Sequence, residues 1–194
     1  MILSRQFERA LKFAARRHKT QTRKGTAIPY VAHLLAVAAI VLEHGGNETE
    51  AIAALLHDTL EDGKAKEEEL RDRFGDPVTD IVLSCSDTVA KKKPKWRPRK
   101  EAYLARIAGK SPSARLVSAA DKLHNARAIL RDYRALGEKL WTRFNASRDD
   151  IRWYYESMVK ELRAAGDSAL VEELALVVSD LRQEIERRGG RSRG

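Results

Sequence analysis

The segment Ala53-Ala54-Leu55-Leu56-His57-Asp58-Thr59-Leu60-Glu61-Asp62 is an apolar run that ends abruptly in an imidazole and three carboxylates. Continued as a helix at about 100° per residue with His57 at zero, Glu61 falls at about 40°, Asp58 at about 100° and Asp62 at about 140°. All four therefore share less than half of the helix circumference. Carboxylates crowded in this way raise the cost of ionising one another unless something positive neutralises them. A divalent cation does so, and imidazole nitrogen with carboxylate oxygen is a normal donor set for Mn²⁺, Fe²⁺ or Zn²⁺.

Helical spacing continues on both sides of this segment. Phe7, Ala10, Leu11, Ala14 and Ala15 mark a first helix, and residues 20–29 break the pattern as a loop. Tyr30 to His44 is an apolar helix closed by Gly45-Gly46, and Glu48 to about Leu60 is the next. Glu67 to Phe74 makes a short helix before Gly75. Asp76-Pro77 and Ser111-Pro112 open two more, with proline early, where a helix has no use for its missing N–H. Lys91–Lys100, with Pro94 and Pro98, reads as a loop, followed by a helix from Ala102 to about Ala108. No stretch alternates with a period of two. The fold class is therefore all-α, in one domain over residues 1–183 with a basic, flexible C-terminal tail over 184–194.

Composition narrows the functional classes. Of 194 residues, 43% are hydrophobic and 34% charged, as in ordinary globular chains. No apolar run approaches the roughly 18 residues of a membrane span, and the first residues do not read as a signal peptide. The single cysteine, Cys85, allows no intrachain disulfide and reads as a small core residue. A reducing, cytoplasmic setting is the expectation. The net charge of +9 points to a polyanionic partner. Seven of the ten residues 91–100 are Lys or Arg, which suits an electrostatic lid or funnel for a phosphate-rich small molecule. A basic nucleic-acid-binding helical module is the weaker reading, because aromatic residues make up only 6% and form no stacking platform.

Two further polar residues sit in apolar surroundings, where a polar group needs a partner. His33 lies in the first turn of an apolar helix, and Asp121 interrupts Ser118-Ala119-Ala120-Asp121-Lys122-Leu123. Each alone reads more simply as a satisfied core group. Together with His57 and Asp58 they make a ligand set for one metal ion. His18 and His44, near element ends, read as surface residues, while Trp153 and Tyr154 read chiefly as core.

The order His, His-Asp, Asp across three helices is the ligand pattern of HD-domain metal sites. Arg23-Lys24, Pro29-Tyr30-Val31-Ala32-His33, the run from Ala54 to Asp62, Phe74-Gly75-Asp76-Pro77-Val78 and Ala120-Asp121-Lys122-Leu123-His124-Asn125-Ala126-Arg127 resemble the hydrolase domain of RelA/SpoT proteins. The resemblance covers roughly residues 3–180, and the chain looks like a small alarmone hydrolase of the metazoan SpoT-like type. It implies a helical bundle with a metal site at its centre. It implies Mn²⁺-dependent removal of the 3′-pyrophosphate of guanosine 3′,5′-bispyrophosphate (ppGpp) and its pentaphosphate form, giving GDP or GTP and pyrophosphate. His33, His57, Asp58 and Asp121 match the metal ligands, Glu61 and Asp62 the acidic pair that handles the attacking water. Arg23, Lys24 and Asn125 match residues beside the nucleotide. Ser118 stands where many members carry lysine, a change expected to weaken phosphate binding or to favour another nucleotide, such as ppApp.

Overall fold

The structure, a computed structural model, describes residues 3–87 and 94–191, with side chains to residue 189. Nine α-helices and no strand occur among the described residues, and an isolated antiparallel bridge joins Thr22 to Pro29. The described residues divide into two compact units.

The first unit holds α1 (Arg5–Arg17), α2 (Val31–Glu43), α3 (Glu48–Leu56), α4 (Glu67–Phe74), α5 (Asp76–Cys85) and the opening of α7 (Pro112–Leu136). Its axis is α3, which packs against α1, α2 and α5, while α4 packs on α5. Ala51 to Leu56 are each at most 2% exposed, so α3 is surrounded by its neighbours. A helix apolar all round is what such a position requires. Its start is fixed by a capping box: Glu50 N–H donates to Asn47 Oδ1 at 3.1 Å, and Asn47 N–H to Glu50 Oε2 at 2.7 Å. That cap sets the register in which His57 and Asp58 leave the helix. Truncating a side chain such as Leu55 to alanine is expected to cost about 2–5 kcal/mol. Gly45, at φ +81°, turns the chain out of α2. Ser111 Oγ caps α7 by accepting from Ala114 N–H at 3.2 Å, as the Ser111-Pro112 reading anticipates.

The second unit holds α6 (Trp96–Ala105), the remainder of α7, a 3-10 turn (Gly137–Arg143), α8 (Arg148–Ala165) and α9 (Ala169–Arg191). Here α8 packs against α6 and α9. Tyr133, Leu140, Met158, Leu162 and Leu174 form its core. Arg163 grips Glu172 through both oxygens, at 2.6 and 2.7 Å.

Three expected boundaries move. Helix α3 stops at Leu56 instead of Leu60, because Thr59 turns its hydroxyl and its N–H onto the Leu56 carbonyl, at 2.6 and 2.9 Å. Residues 57–62 are therefore a succession of turns. Helix α6 begins at Trp96, inside the stretch expected as a loop. Pro98 falls in its first turn, where it is tolerated, and the Trp96 ring packs on Tyr154 at 5.9 Å. Of the stretch 91–100 expected as a lid or funnel, Lys91 to Lys93 lie outside the described residues. Helix α9 runs to Arg191, beyond residue 184 where the tail was expected. Ile185 is buried, and Glu184 pairs with Arg187 and Arg188. Residues 192–194 lie outside the description.

Candidate metal centre

Four donors from three segments of the first unit converge. His33 stands in the first turn of α2, His57 and Asp58 follow the last residue of α3, and Asp121 lies on α7. His57 Nε2 is 3.0 Å from Asp58 Oδ2 and 3.6 Å from Asp121 Oδ1. His33 Nε2 is 3.7 and 3.2 Å from the same two oxygens. Both rings are buried, at 1% and 3% exposure, and they meet edge to face with centroids 5.2 Å apart.

These separations suit donors that share one ion. Bonds of about 2.1 Å place neighbouring ligand atoms roughly 3.0–3.5 Å apart. The tautomer agrees. His57 Nδ1–H donates to the Ala54 carbonyl at 2.8 Å, which leaves Nε2 to carry the lone pair. Asp58 Oδ2 lies 3.0 Å from that nitrogen. A lone pair held against two carboxylates is repulsive until a cation enters. His33, His57 and Asp58 thus form a group that could hold a divalent metal, and Asp121 Oδ1 lies beside both imidazoles.

Charge in the cage is finely opposed. On His33 burial prevails and lowers the imidazole pKa, against the pull of Asp121. On His57 burial also works downward, but Asp58 and Asp121 outweigh it and hold the ring well above its ordinary 6.5. Burial pushes the Asp58 carboxyl up, and the His57 charge beside it more than reverses this, leaving it below the usual carboxylate range. Without a metal, the cage keeps a proton on His57 as its cation.

A second layer fixes the first. Tyr30 OH donates to Asp58 Oδ2 at 2.5 Å. Burial, and then the charge of Asp58, push this phenol far above its ordinary value, so it stays protonated and remains a donor. Its ring stacks on His18, with centroids 5.1 Å apart at 22°. His18 is 2% exposed, which corrects its reading as a surface residue: the Tyr30 ring covers one face, and Nδ1 meets Gln21 Oε1 at 2.6 Å. Gln21 Nε2 in turn donates to Asp62 Oδ2 at 3.3 Å. Gly63 is required here, since a Cβ would stand 2.9 Å from the Thr59 backbone and 3.1 Å from His18 Nε2. Glu61 is half-buried and accepts from the Asp87 N–H at 2.6 Å, so the two acids of the pair are held by different partners.

The structure therefore brings His33, His57, Asp58 and Asp121 together and holds Glu61 and Asp62 on the turns that follow Asp58. The Arg23 guanidinium lies 5.8 Å from the Tyr30 ring centre, and Lys24 is exposed in the adjoining turn. Asn125 is on α7, four residues past Asp121, and belongs to the second unit. His18, Gln21 and Tyr30 escape the sequence reading as site residues. Only Tyr30 carries a signal, its i,i+3 spacing to His33. Cys85 is half-buried, less enclosed than its core reading.

Comparison with known proteins supplies a context for this geometry. A family model described as HD domain matches residues 10–152. The guanosine-3′,5′-bis(diphosphate) 3′-pyrophosphohydrolase MESH1 of Xenopus tropicalis is 42% identical over 125 residues, covering 63% of this chain and 68% of that protein. Its Danio rerio counterpart is 36% identical over 170 residues, covering 84% and 86%. Among solved structures, a metazoan ortholog of SpoT that hydrolyses ppGpp and plays a role in starvation responses superposes with a TM-score of 0.75. It is 30% identical, and the match covers 97% of this chain and 98% of that one.

Proposed function

This chain belongs to the HD-domain family, and from that premise we propose that it hydrolyses the 3′-pyrophosphate of ppGpp and its pentaphosphate form, with Mn²⁺ held by His33, His57, Asp58 and Asp121. The observation that carries this reading is the tautomer of His57: Nδ1–H is spent on Ala54, and Nε2 is aimed at two carboxylates where only a cation makes sense. A bound divalent ion supplies Lewis acidity, lowering the pKa of water and polarising a phosphoryl oxygen. The remaining chemistry belongs to the chain.

Water adds to the phosphorus that bears the 3′-oxygen, that P–O bond breaks, and the 3′-hydroxyl and pyrophosphate are released. Glu61, fixed by the Asp87 amide, orients the water and accepts its proton. Asp62, tethered by Gln21, shares that charge as its neighbour. Arg23 and Lys24 offset the negative charge of the nucleotide, and Asn125 contacts its ribose and phosphate. Tyr30 keeps Asp58 in its ligating orientation.

The test is pyrophosphate release from ppGpp by the purified chain with Mn²⁺, with ppApp in parallel and Asp58→Ala as control. Release from ppGpp that the control abolishes is the expected result. Release from ppApp alone moves the substrate to adenine. Release from neither, with metal bound, overturns the alarmone assignment and leaves the metal site standing.

A further inference from the structure

Helix α1 carries a row of cations that the reaction above leaves unused. Arg5, Arg9, Lys12 and Arg16 recur every three or four residues, and all four are exposed. At about 100° per residue they fall within about 60° of the helix circumference, along roughly 16 Å of its length. The opposite face, with Ala10 and Ala14 fully buried, is the one that joins the core. Like charges three and four residues apart repel and weaken a helix. In the second unit arginines are answered by acids: Arg163 pairs with Glu172, and Arg187 and Arg188 with Glu184. Among the described residues, no ion pair or hydrogen bond engages the side chains of Arg5, Arg9, Lys12 or Arg16, and Glu8, the single acid of α1, pairs with none of them.

The row forms one wall of a groove within the first unit. Arg9, Lys12 and Arg16 line a cavity of about 580 Å³ whose other wall is α4, where Arg73 adds a further cation. Glu69 and Asp72 line it too, but Glu69 is already gripped by Arg17 and by Arg73, the latter at 3.3 Å. The floor is aromatic. Phe13 and Phe74 meet edge to face with centroids 5.4 Å apart. The guanidinium carbons of Arg17 and Arg73 stand 4.8 and 5.5 Å from the Phe13 ring centre, so this ring serves to hold arginines.

We propose that the groove between α1 and α4 binds a single-stranded nucleic acid through its phosphates, without regard to base sequence. A row of cations, about one per helical turn, matches a linear polyanion that repeats its charge along its length. A cavity of this size admits one strand and excludes a duplex. Base readout would need an aromatic face to stack on, and arginines occupy Phe13 while Phe74 is buried. An anionic membrane fits less well, because a helix that lies on lipid sinks its apolar face into it, and that of α1 is in the core. The groove shares no residue with the metal centre, and its binding stands independently of the hydrolase reading.

Fluorescence anisotropy of a labelled uridine 20-mer RNA with the full chain, over a range of salt concentrations, tests this. Log affinity should fall against log salt with a slope of about −0.7 per phosphate neutralised, or about −3 for the four cations of the row. The combined variant Arg9→Gln, Lys12→Gln, Arg16→Gln is expected to bind about thirtyfold or more weakly at low salt, with a slope shallower by about 2. Its Tm should equal or exceed that of wild type, since like charges are removed. The combined variant Lys66→Gln, Lys139→Gln, Lys160→Gln removes the same charge elsewhere and should bind within about threefold of wild type. Equal losses in the two variants reduce the effect to net charge and overturn the proposal. So does RNA binding that the groove variant retains. Tighter binding of an RNA duplex of the same length overturns the single-strand occupant. A groove variant that loses only phosphatidylserine vesicles moves the surface to membranes and likewise overturns it. If the combined groove variant fails to fold, Lys12→Gln and Arg16→Gln decide singly, each expected to flatten the slope by about 0.7.

Discussion

Around Arg71, three carboxylates from Glu67, Asp76 and Asp80 stand 2.9, 2.7 and 3.0 Å from guanidinium nitrogens at the protein surface. In the same unit, two carboxylates and two imidazoles converge at similar separations in the His33-His57-Asp58-Asp121 cage. Both clusters must neutralise crowded negative charge. At the surface, the positive centre is a side chain of the chain itself, screened by water and salt. In the buried cage, we propose, the centre comes from solution, with a proton on His57 in its absence. A built-in cation makes a clasp; a cage that waits for one makes a site that can be loaded, emptied and titrated.

The largest effect that sharpens this contrast is on catalysis. Asp58→Ala should lower kcat/KM for ppGpp by roughly 10³-fold, about 4 kcal/mol of transition-state stabilisation, in a steady-state pyrophosphate assay. A variant within tenfold of wild type would break the comparison, because the cage would then be structural. Next comes the second layer. Tyr30→Phe removes only the hydroxyl that donates to Asp58, and should weaken metal affinity or activity about 10- to 100-fold while the fold persists. Metal titration with circular dichroism in parallel separates those outcomes.

The third effect is on pH. The raised pKa of His57 contributes stability to the metal-free protein that is fully present below the ordinary 6.5 and is lost as pH rises through the folded value. His33 has the opposite sign: its lowered pKa contributes stability present above 6.5 and lost as pH falls toward the folded value. Metal needs both rings neutral, so affinity should fall up to about tenfold per pH unit as pH drops through the raised His57 value. Ion binding at neutral pH should release a proton, which calorimetry in buffers of different ionisation enthalpy detects. The smallest effect belongs to the clasp. Arg71→Ala should leave kcat/KM within about twofold and lower Tm slightly, less so at high salt. Loss of activity there would mean that the two clusters are not independent.

How much of this was legible depended on how local each cause is. His33 and Asp121 could be read because a polar residue inside an apolar helix is conspicuous whatever surrounds it. The Ser111-Pro112 start is written within four residues. The end of α3 was not legible, because an ideal helical wheel has no place for a Thr59 hydroxyl that captures the Leu56 carbonyl. The site residues cluster all the same, by way of turns. His18 was misread because its cover, the Tyr30 ring, comes from across the 20–29 loop. Trp96 was assigned to a loop by its basic neighbours and prolines, whereas its ring packs on Tyr154, nearly sixty residues away.

The most direct test of the central claim is a Mn²⁺ titration of the purified chain by calorimetry, beside Asp58→Ala. The cage predicts one ion per chain, proton release at neutral pH, and binding that Asp58→Ala abolishes. A wild-type chain that takes up no ion, or an Asp58→Ala chain that binds one with unchanged affinity, would contradict it.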